Sequence, residues 1–167
     1  EEALKAISDS AEELCKMIPS DTNKYYLWPD DVDSKCCHCE ICSELSESDQ
    51  MLRFTNAVLK GLQRVNPDAK VCYLAYQGTL DVPEKTMPED GVFLEYAPMK
   101  RDFNHAANDP TSENNMIHKE KMEKLLKFFG TKDATVLEYW LDNSMFSNWK
   151  KPFGKLPYHP ELVREDI

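Results

Sequence analysis

The sequence predicts an α/β fold, in which helices alternate with the strands of a parallel sheet to form part of a (β/α) barrel. Helical apolar periodicity occurs three times, over residues 3–18, 48–65 and 112–129. Between these segments lie short runs that are apolar throughout, which is typical of parallel strands covered on both faces. No glycine-rich phosphate loop follows any of these runs, so an open nucleotide-binding sheet is less favoured than a barrel.

The predicted order of elements is helix, strand, helix, strand, strand, helix, strand. The predicted strands cover residues 25–28, 71–76, 92–96 and 135–140. Gly130 is a C-cap signal that ends the third helix. A complete barrel of this type needs eight strands and typically about 250 residues. The chain of 167 residues is therefore predicted to hold about half of a TIM barrel.

Residues 1–152 are predicted to form the partial barrel, with a Cys-rich loop at residues 36–42, and residues 153–167 a polar C-terminal tail or linker. The chain opens inside a helical pattern without an initiator Met, so we expect the rest of a larger polypeptide as its partner. No run approaches the roughly 18 apolar residues of a membrane span. The net charge of −10 argues against a nucleic-acid partner, because phosphate binding relies on clustered Lys and Arg.

Acidic and aromatic residues lie at the carboxyl ends of the predicted strands and in the loops that follow, where ligands of parallel α/β folds bind. Aromatic rings cover the apolar faces of a pyranose, and carboxylates or amides hydrogen-bond its hydroxyls, so we expect a carbohydrate partner. The residues that this rule selects are Trp28, Asp30, Asp31, Tyr76, Glu95, Arg101, His105, Glu138, Tyr139 and Trp140.

Three carboxylates in this set are candidates for catalysis, because glycosidic cleavage classically uses two carboxyl groups, one of them protonated. Glu138 lies in an apolar strand, where desolvation raises the pKa of a carboxyl group. Asp31 stands beside Asp30, and Glu95 lies on the third strand. The alternative for each is a solvated or structurally paired charge. Likewise Arg101 can anchor its loop rather than contact a sugar, and His118 is placed on an exposed helix without a role.

Four thiols and one imidazole occur within residues 36–42. Cys37, Cys39 and Cys42 form a C-x-C-x-x-C array, which is able to ligate a structural zinc. A disulfide, favoured if the protein is exported, and free thiols used in packing are the other interpretations. In each case the loop follows Asp31 and would brace that carboxylate. Cys15 and Cys72 are predicted to be buried as apolar residues.

Several segments in this order resemble a bacterial family of domains of unknown function in the glycosidase (β/α)8-barrel superfamily. They are Trp-Pro-Asp-Asp at 28–31, the cysteine array, residues 52–56, 74–76 and 98–105, and Leu-Glu-Tyr-Trp at 137–140. The family is similar to endo-β-N-acetylglucosaminidases and to α-glucuronidase- and hexosaminidase-like barrels, and the resemblance covers about residues 20–152.

The resemblance implies a glycoside hydrolase acting on a glycan such as one containing N-acetylhexosamine. It implies acid or base roles for Glu138, Asp31 and Glu95, and sugar subsites that include Arg101 and His105. The resemblance also implies that catalysis requires no cofactor and that the protein is exported. Two other functions stay open at this point: a non-catalytic carbohydrate-binding barrel, and a zinc-stabilised structural or interaction domain.

Overall fold

The computed structural model describes residues 1–31, 36–154 and 159–167. Helices and strands alternate along much of the chain, as the hydrophobic periodicity predicted. The helices are α1 Glu2–Met17, α2 Glu47–Gln63, α3 Glu113–Phe129, α4 Asn143–Phe146 and α5 Pro160–Asp166. The strands are β1 Lys24–Tyr25, β2 Lys70–Ala75, β3 Val92–Tyr96 and β4 Thr135–Val136. In the part of the chain just described, no helix is both long and apolar enough to cross a membrane.

The four strands form one curled, all-parallel sheet in the order β1-β2-β3-β4, with helices beside it. This arrangement confirms the α/β class and is consistent with a partial (β/α) barrel. In the register, Leu74 pairs with Glu95 and Glu95 with Thr135. Side chains in register across neighbouring strands point to the same face of the sheet, and successive side chains alternate between faces. These two rules decide which side chains point to the inner face of the curled sheet.

The two outer strands are shorter than predicted. Strand β1 stops at Tyr25 and β4 at Val136, whereas the predicted strands continued to Trp28 and Trp140. Each outer strand pairs with one neighbour in the described sheet. Their terminal residues therefore leave the ladder, and Trp28 hydrogen-bonds across to Glu95 instead.

Helix α2 begins earlier than its apolar stripe predicted, because its cap lies at Ser46. The Ser46 side chain accepts from the backbone N–H of Asp49, and the Asp49 carboxylate accepts from the Ser46 N–H in return. This reciprocal capping box satisfies two N–H groups that the helix leaves unpaired. Helix α3 starts after Ser112 and ends at Gly130 with φ 83°, so the predicted glycine C-cap is confirmed.

The core lies on both sides of α2. One cluster joins α1 to α2 and β2 through residues such as Ala11, Leu59 and Leu62. A second joins the sheet to α2 and α3 and includes Tyr73 and Leu125. Cys15 and Cys72 are buried as predicted.

The prediction that His118 is exposed on its helix is wrong, because His118 is buried on α3. Its Nδ1 lies 2.9 Å from the hydroxyl of Tyr96, whose O–H also donates to the His118 carbonyl at 2.9 Å. Burial lowers the pKa of His118. Towards the C-terminus, residues 153–167 include helix α5, whose Asp166 contacts Arg101.

Candidate functional site

A cavity of about 780 Å³ lies at the carboxyl edge of the sheet, which is where ligands bind in parallel α/β folds. Its volume falls in the range of about 300–1,000 Å³ usual for small-molecule sites. Aromatic rings and carboxylates share the lining, the two chemical groups expected of a sugar site. The lining includes Trp28, Asp30, Asp31, Glu47, Gln50, Phe54, Tyr76, Gln77, Tyr139, Asp142 and Trp149.

The sheet register explains which strand-end residues reach the cavity. Leu74 and Tyr76 from the end of β2 and Leu137 and Tyr139 after β4 all line it. Leu74 is in register with Glu95, so Glu95 lies on the same face of the sheet. This face is the inner face of the curled sheet.

Glu95 is not part of the described lining, but it hydrogen-bonds to Trp28, which is. Its Oε2 accepts a hydrogen bond of 2.8 Å from the indole N–H of Trp28, and Glu95 is only 5% exposed. Burial raises the pKa of the neighbouring Cys72 thiol to about 12, and the negative charge of Glu95 acts in the same direction. The structure thus brings Trp28 and Glu95 together, with Glu95 fixing the orientation of the Trp28 ring.

Glu138 and Trp140 belong to a different group of side chains, which we call the Arg101 cluster: Arg101, Glu138, Trp140 and Asp166. The Arg101 side chain is 2% exposed; its Nε donates to Glu138 at 3.3 Å and its Nη2 donates to Asp166. The Trp140 indole donates to Asp166 at 3.1 Å. Burial raises the pKa of Glu138, while the Arg101 charge opposes that rise. Within the described residues, no member of this cluster lines the cavity.

His105 lies in the loop that follows β3 and pairs locally. Its Nδ1 is 2.8 Å from the Asp109 carboxylate, and this contact raises the pKa of His105. Its backbone carbonyl accepts a hydrogen bond from Arg101 at 3.2 Å. The structure therefore places His105 beside the Arg101 cluster and outside the described cavity lining.

The cavity carboxylates differ in their surroundings. Asp142 caps α4, and hydrogen bonds from the Ser144 hydroxyl and the Met145 backbone N–H hold its pKa below the usual range. Asp31 is exposed on the lining, next to Asp30. Glu47, at the first position of α2, contributes a further carboxylate. The cavity is thus acidic on several sides.

Several lining residues were missed by sequence reasoning, among them Glu47, Gln50 and Trp149. Glu47 and Gln50 come from the first turns of α2, and Trp149 comes from the segment after α4. A rule that inspects only strand ends cannot select them. The signal for Glu47 and Gln50 is position in a (β/α) unit, because a helix that follows a strand-end loop begins at the same edge of the sheet. No such signal exists for Trp149, which follows α4.

The cysteine loop, residues 36–42, lies beside the cavity. The Sγ atoms of Cys37, Cys39 and Cys42 all lie within 4.8 Å of one another, and all three cysteines are free. The Cys42 backbone N–H and the neighbouring thiols lower the pKa of Cys39 to about 7. The hydrogen bond with Cys39 contributes most to raising the pKa of Cys42 to about 11. These sulfurs are close enough to ligate one metal ion.

The fold and the cavity define an α/β protein with a cavity at the carboxyl edge of a parallel sheet. The chain belongs to the family described as domain of unknown function DUF4838, which matches residues 10–142. This match confirms membership of a domain-of-unknown-function family and leaves the glycosidase relationship as a prediction. Searches of curated proteins and of solved structures found no match.

Proposed function

We propose that the cavity binds a glycan and that the chain forms about half of the (β/α)8 barrel of a glycoside hydrolase. The observation that carries this proposal is the lining of the cavity, where aromatic rings and carboxylates meet at the carboxyl edge of the parallel sheet. Sugars need both groups, since each pyranose has an apolar face and a rim of hydroxyls. The volume of about 780 Å³ leaves room for more than one sugar ring.

Two tryptophans provide stacking surfaces for the proposed glycan. Trp28 is oriented by its hydrogen bond to Glu95, so binding costs little side-chain ordering at that ring. Trp149 is 63% exposed on the lining, and a sugar that covers it buries apolar area at about 25 cal/mol per Å². Burying some 60 Å² of the ring would contribute roughly 1.5 kcal/mol, or about tenfold in affinity.

Bond cleavage is assigned to carboxylates on the cavity, with Asp31 as the first candidate for acid or base. Asp31 lines the cavity, whereas the Glu138 carboxylate is bound to the buried Arg101. Glu95 is given a positioning role through Trp28. Asp142 has a lowered pKa, which suits a residue that stays ionised and accepts bonds from sugar hydroxyls. This chemistry requires no cofactor, because two carboxyl groups supply acid and base.

Binding is tested by calorimetric titration of the chain with N,N′-diacetylchitobiose and with an N-glycan core oligosaccharide. We expect Trp149→Ala to weaken binding about tenfold. Phe153→Ala is the matched control, since Phe153 is 44% exposed and lies outside the described lining. Equal affinities of the two variants, or no binding by the unmodified chain, would count against the proposal.

Hydrolysis is tested with the complete barrel of the proposed enzyme, of which this chain would form about half. Asp31→Asn should abolish release of product from the same oligosaccharides while leaving their affinity within a few-fold. Glu138→Gln, checked for folding by circular dichroism, should retain turnover. Wild-type turnover by Asp31→Asn would remove Asp31 from the mechanism, and loss of turnover in a folded Glu138→Gln would return the role to Glu138.

A further inference from the structure

We propose that Cys37, Cys39 and Cys42 bind one zinc ion, which fixes the loop beside the cavity. The first support is the geometry of the sulfur atoms, which lie within 4.8 Å of one another. In a tetrahedral zinc site with Zn–S bonds of about 2.3 Å, the sulfurs are separated by about 3.8 Å. Each pair therefore has to close by no more than about 1 Å, which side-chain rotation in an exposed loop readily provides.

The second support is that the backbone of this loop is already held by a side chain from a helix. Gln50 of α2 accepts from the N–H of Cys37 at 2.9 Å and donates to the carbonyls of Cys37 and Cys42 at 3.1 and 3.0 Å. One amide therefore fixes two of the three ligand residues relative to α2. Preorganisation of this kind lowers the ordering cost of metal binding.

The carbonyls of the loop are also paired within the chain. The backbone N–H of Ser43 donates to the carbonyl of Cys39 at 2.8 Å, and that of Leu45 to the carbonyl of Cys42 at 3.0 Å. The carbonyls of Cys39 and Cys42 are thus already engaged, while Cys37 and Cys39 present exposed side chains. An entering ion meets thiols before it meets backbone oxygens, and soft thiolates select zinc over magnesium or calcium.

A disulfide accounts for the same residues less completely. It would join two sulfurs at about 2.05 Å and leave the third thiol of the cluster without a partner. Zinc uses all three thiolates and takes its fourth ligand from solvent or from a neighbouring side chain. Because Gln50 and Cys36 both line the cavity, the ion would stiffen that wall. The metal proposal itself does not depend on what the cavity binds.

The test is metal analysis of the chain purified under reducing conditions. We expect about one zinc per chain in the unmodified protein and a loss of most of that metal in Cys39→Ala. Cys15→Ala is the matched control, because Cys15 is a thiol buried in α1, and it should keep its zinc. Zinc content in Cys39→Ala equal to that of the control would overturn the proposal.

A second measurement avoids any effect of the substitutions on folding. Titration of the metal-free unmodified chain with Co²⁺ should produce a thiolate-to-cobalt charge-transfer band that saturates at about one equivalent. Adding zinc to the metal-free chain should raise its thermal midpoint, since an ion that binds only the folded state stabilises that state. Absence of the charge-transfer band under reducing conditions would contradict the proposed site. Formation of a disulfide among the three cysteines in the presence of zinc would contradict it as well.

Discussion

Replacing Arg101 with Met tests whether this residue is part of the folded core or a sugar ligand. Arg101 and Asp166 have side chains that are each 2% exposed, and that of Glu138 is 14% exposed. Removing the guanidinium leaves two carboxylates without their buried cation. Loss of one partner from a buried ion pair costs about 3–5 kcal/mol, and we expect a decrease of that size in the free energy of unfolding at pH 7.

The pH dependence of this loss distinguishes charge from packing. Burial already raises the pKa of Glu138 above its ordinary 4.5, and Arg101 opposes the rise. In Arg101→Met the folded-state pKa of Glu138 is therefore higher still, and the folded state binds more protons than the unfolded state above pH 4.5. Stability then falls as pH rises through this window. The deficit relative to the unmodified chain should be largest at pH 7 and shrink towards pH 4.5.

The assay is urea unfolding followed by circular dichroism at pH 7, 6, 5 and 4.5. Arg53→Met is the matched control, because Arg53 pairs at 3.1 Å with Glu1, whose side chain is 82% exposed. Exposed pairs contribute about 0–1 kcal/mol, so the control should lose no more than that at any pH. A loss below 1 kcal/mol in Arg101→Met, or a deficit that does not change with pH, would refute the buried-charge account.

Two further predictions concern the elements that position the site. Gly61→Ala should lower the free energy of unfolding by about 1–3 kcal/mol, since a Cβ there would lie 2.0 Å from the Ser8 carbonyl oxygen. The control is Lys60→Ala, because Lys60 is exposed on the same helix. In the same urea assay, the free energy of unfolding of this control should change by no more than about 0.5 kcal/mol. Asp49→Asn should cost about 2 kcal/mol at pH 7. Burial alone would raise the pKa of Asp49, but hydrogen bonds from the Ser46 side chain and from the backbone N–H groups of residues 84–86 outweigh burial and hold that pKa at about 2. Since that pKa is lowered from 3.8, the stabilisation is present above pH 3.8 and lost towards pH 2. The variant should therefore show a flatter acid-unfolding curve over that range. A curve as steep as that of the unmodified chain would contradict this account.

The sequence was sufficient to predict the α/β class and the edge of the sheet that carries the cavity. Apolar runs separated by amphipathic helices reflect strands that helices cover, and that signal is local. Five selected residues lie at the ends of such runs or just after them and line the cavity: Trp28, Asp30, Asp31, Tyr76 and Tyr139. What local signals could not predict was how far each outer strand stays paired, since pairing depends on the neighbouring strand.

The predicted strand over residues 135–140 shows why this matters for the site. Ladder pairing of β4 ends at Val136, so the sequence pattern alone did not indicate which side chains of the next four residues face the cavity. The Arg101 cluster was equally hidden, because it joins the β3 loop, the segment after β4 and helix α5, which are far apart in sequence. A buried Arg is recognisable only when its carboxylate partners are located in space.

The register also limits any catalytic assignment that uses two glutamates. Glu95 pairs with Thr135, so Thr135 and Glu95 share one face of the sheet, and alternation carries that face to Leu137 and Tyr139. Both of these residues line the cavity, which shows that the alternation continues past the paired part of β4. Glu138 lies between them and points to the opposite face, where Arg101 holds it. Glu95 and Glu138 therefore lie on opposite faces of the sheet, so under the proposed function a reacting pair that includes either of them draws its second carboxyl group from another element.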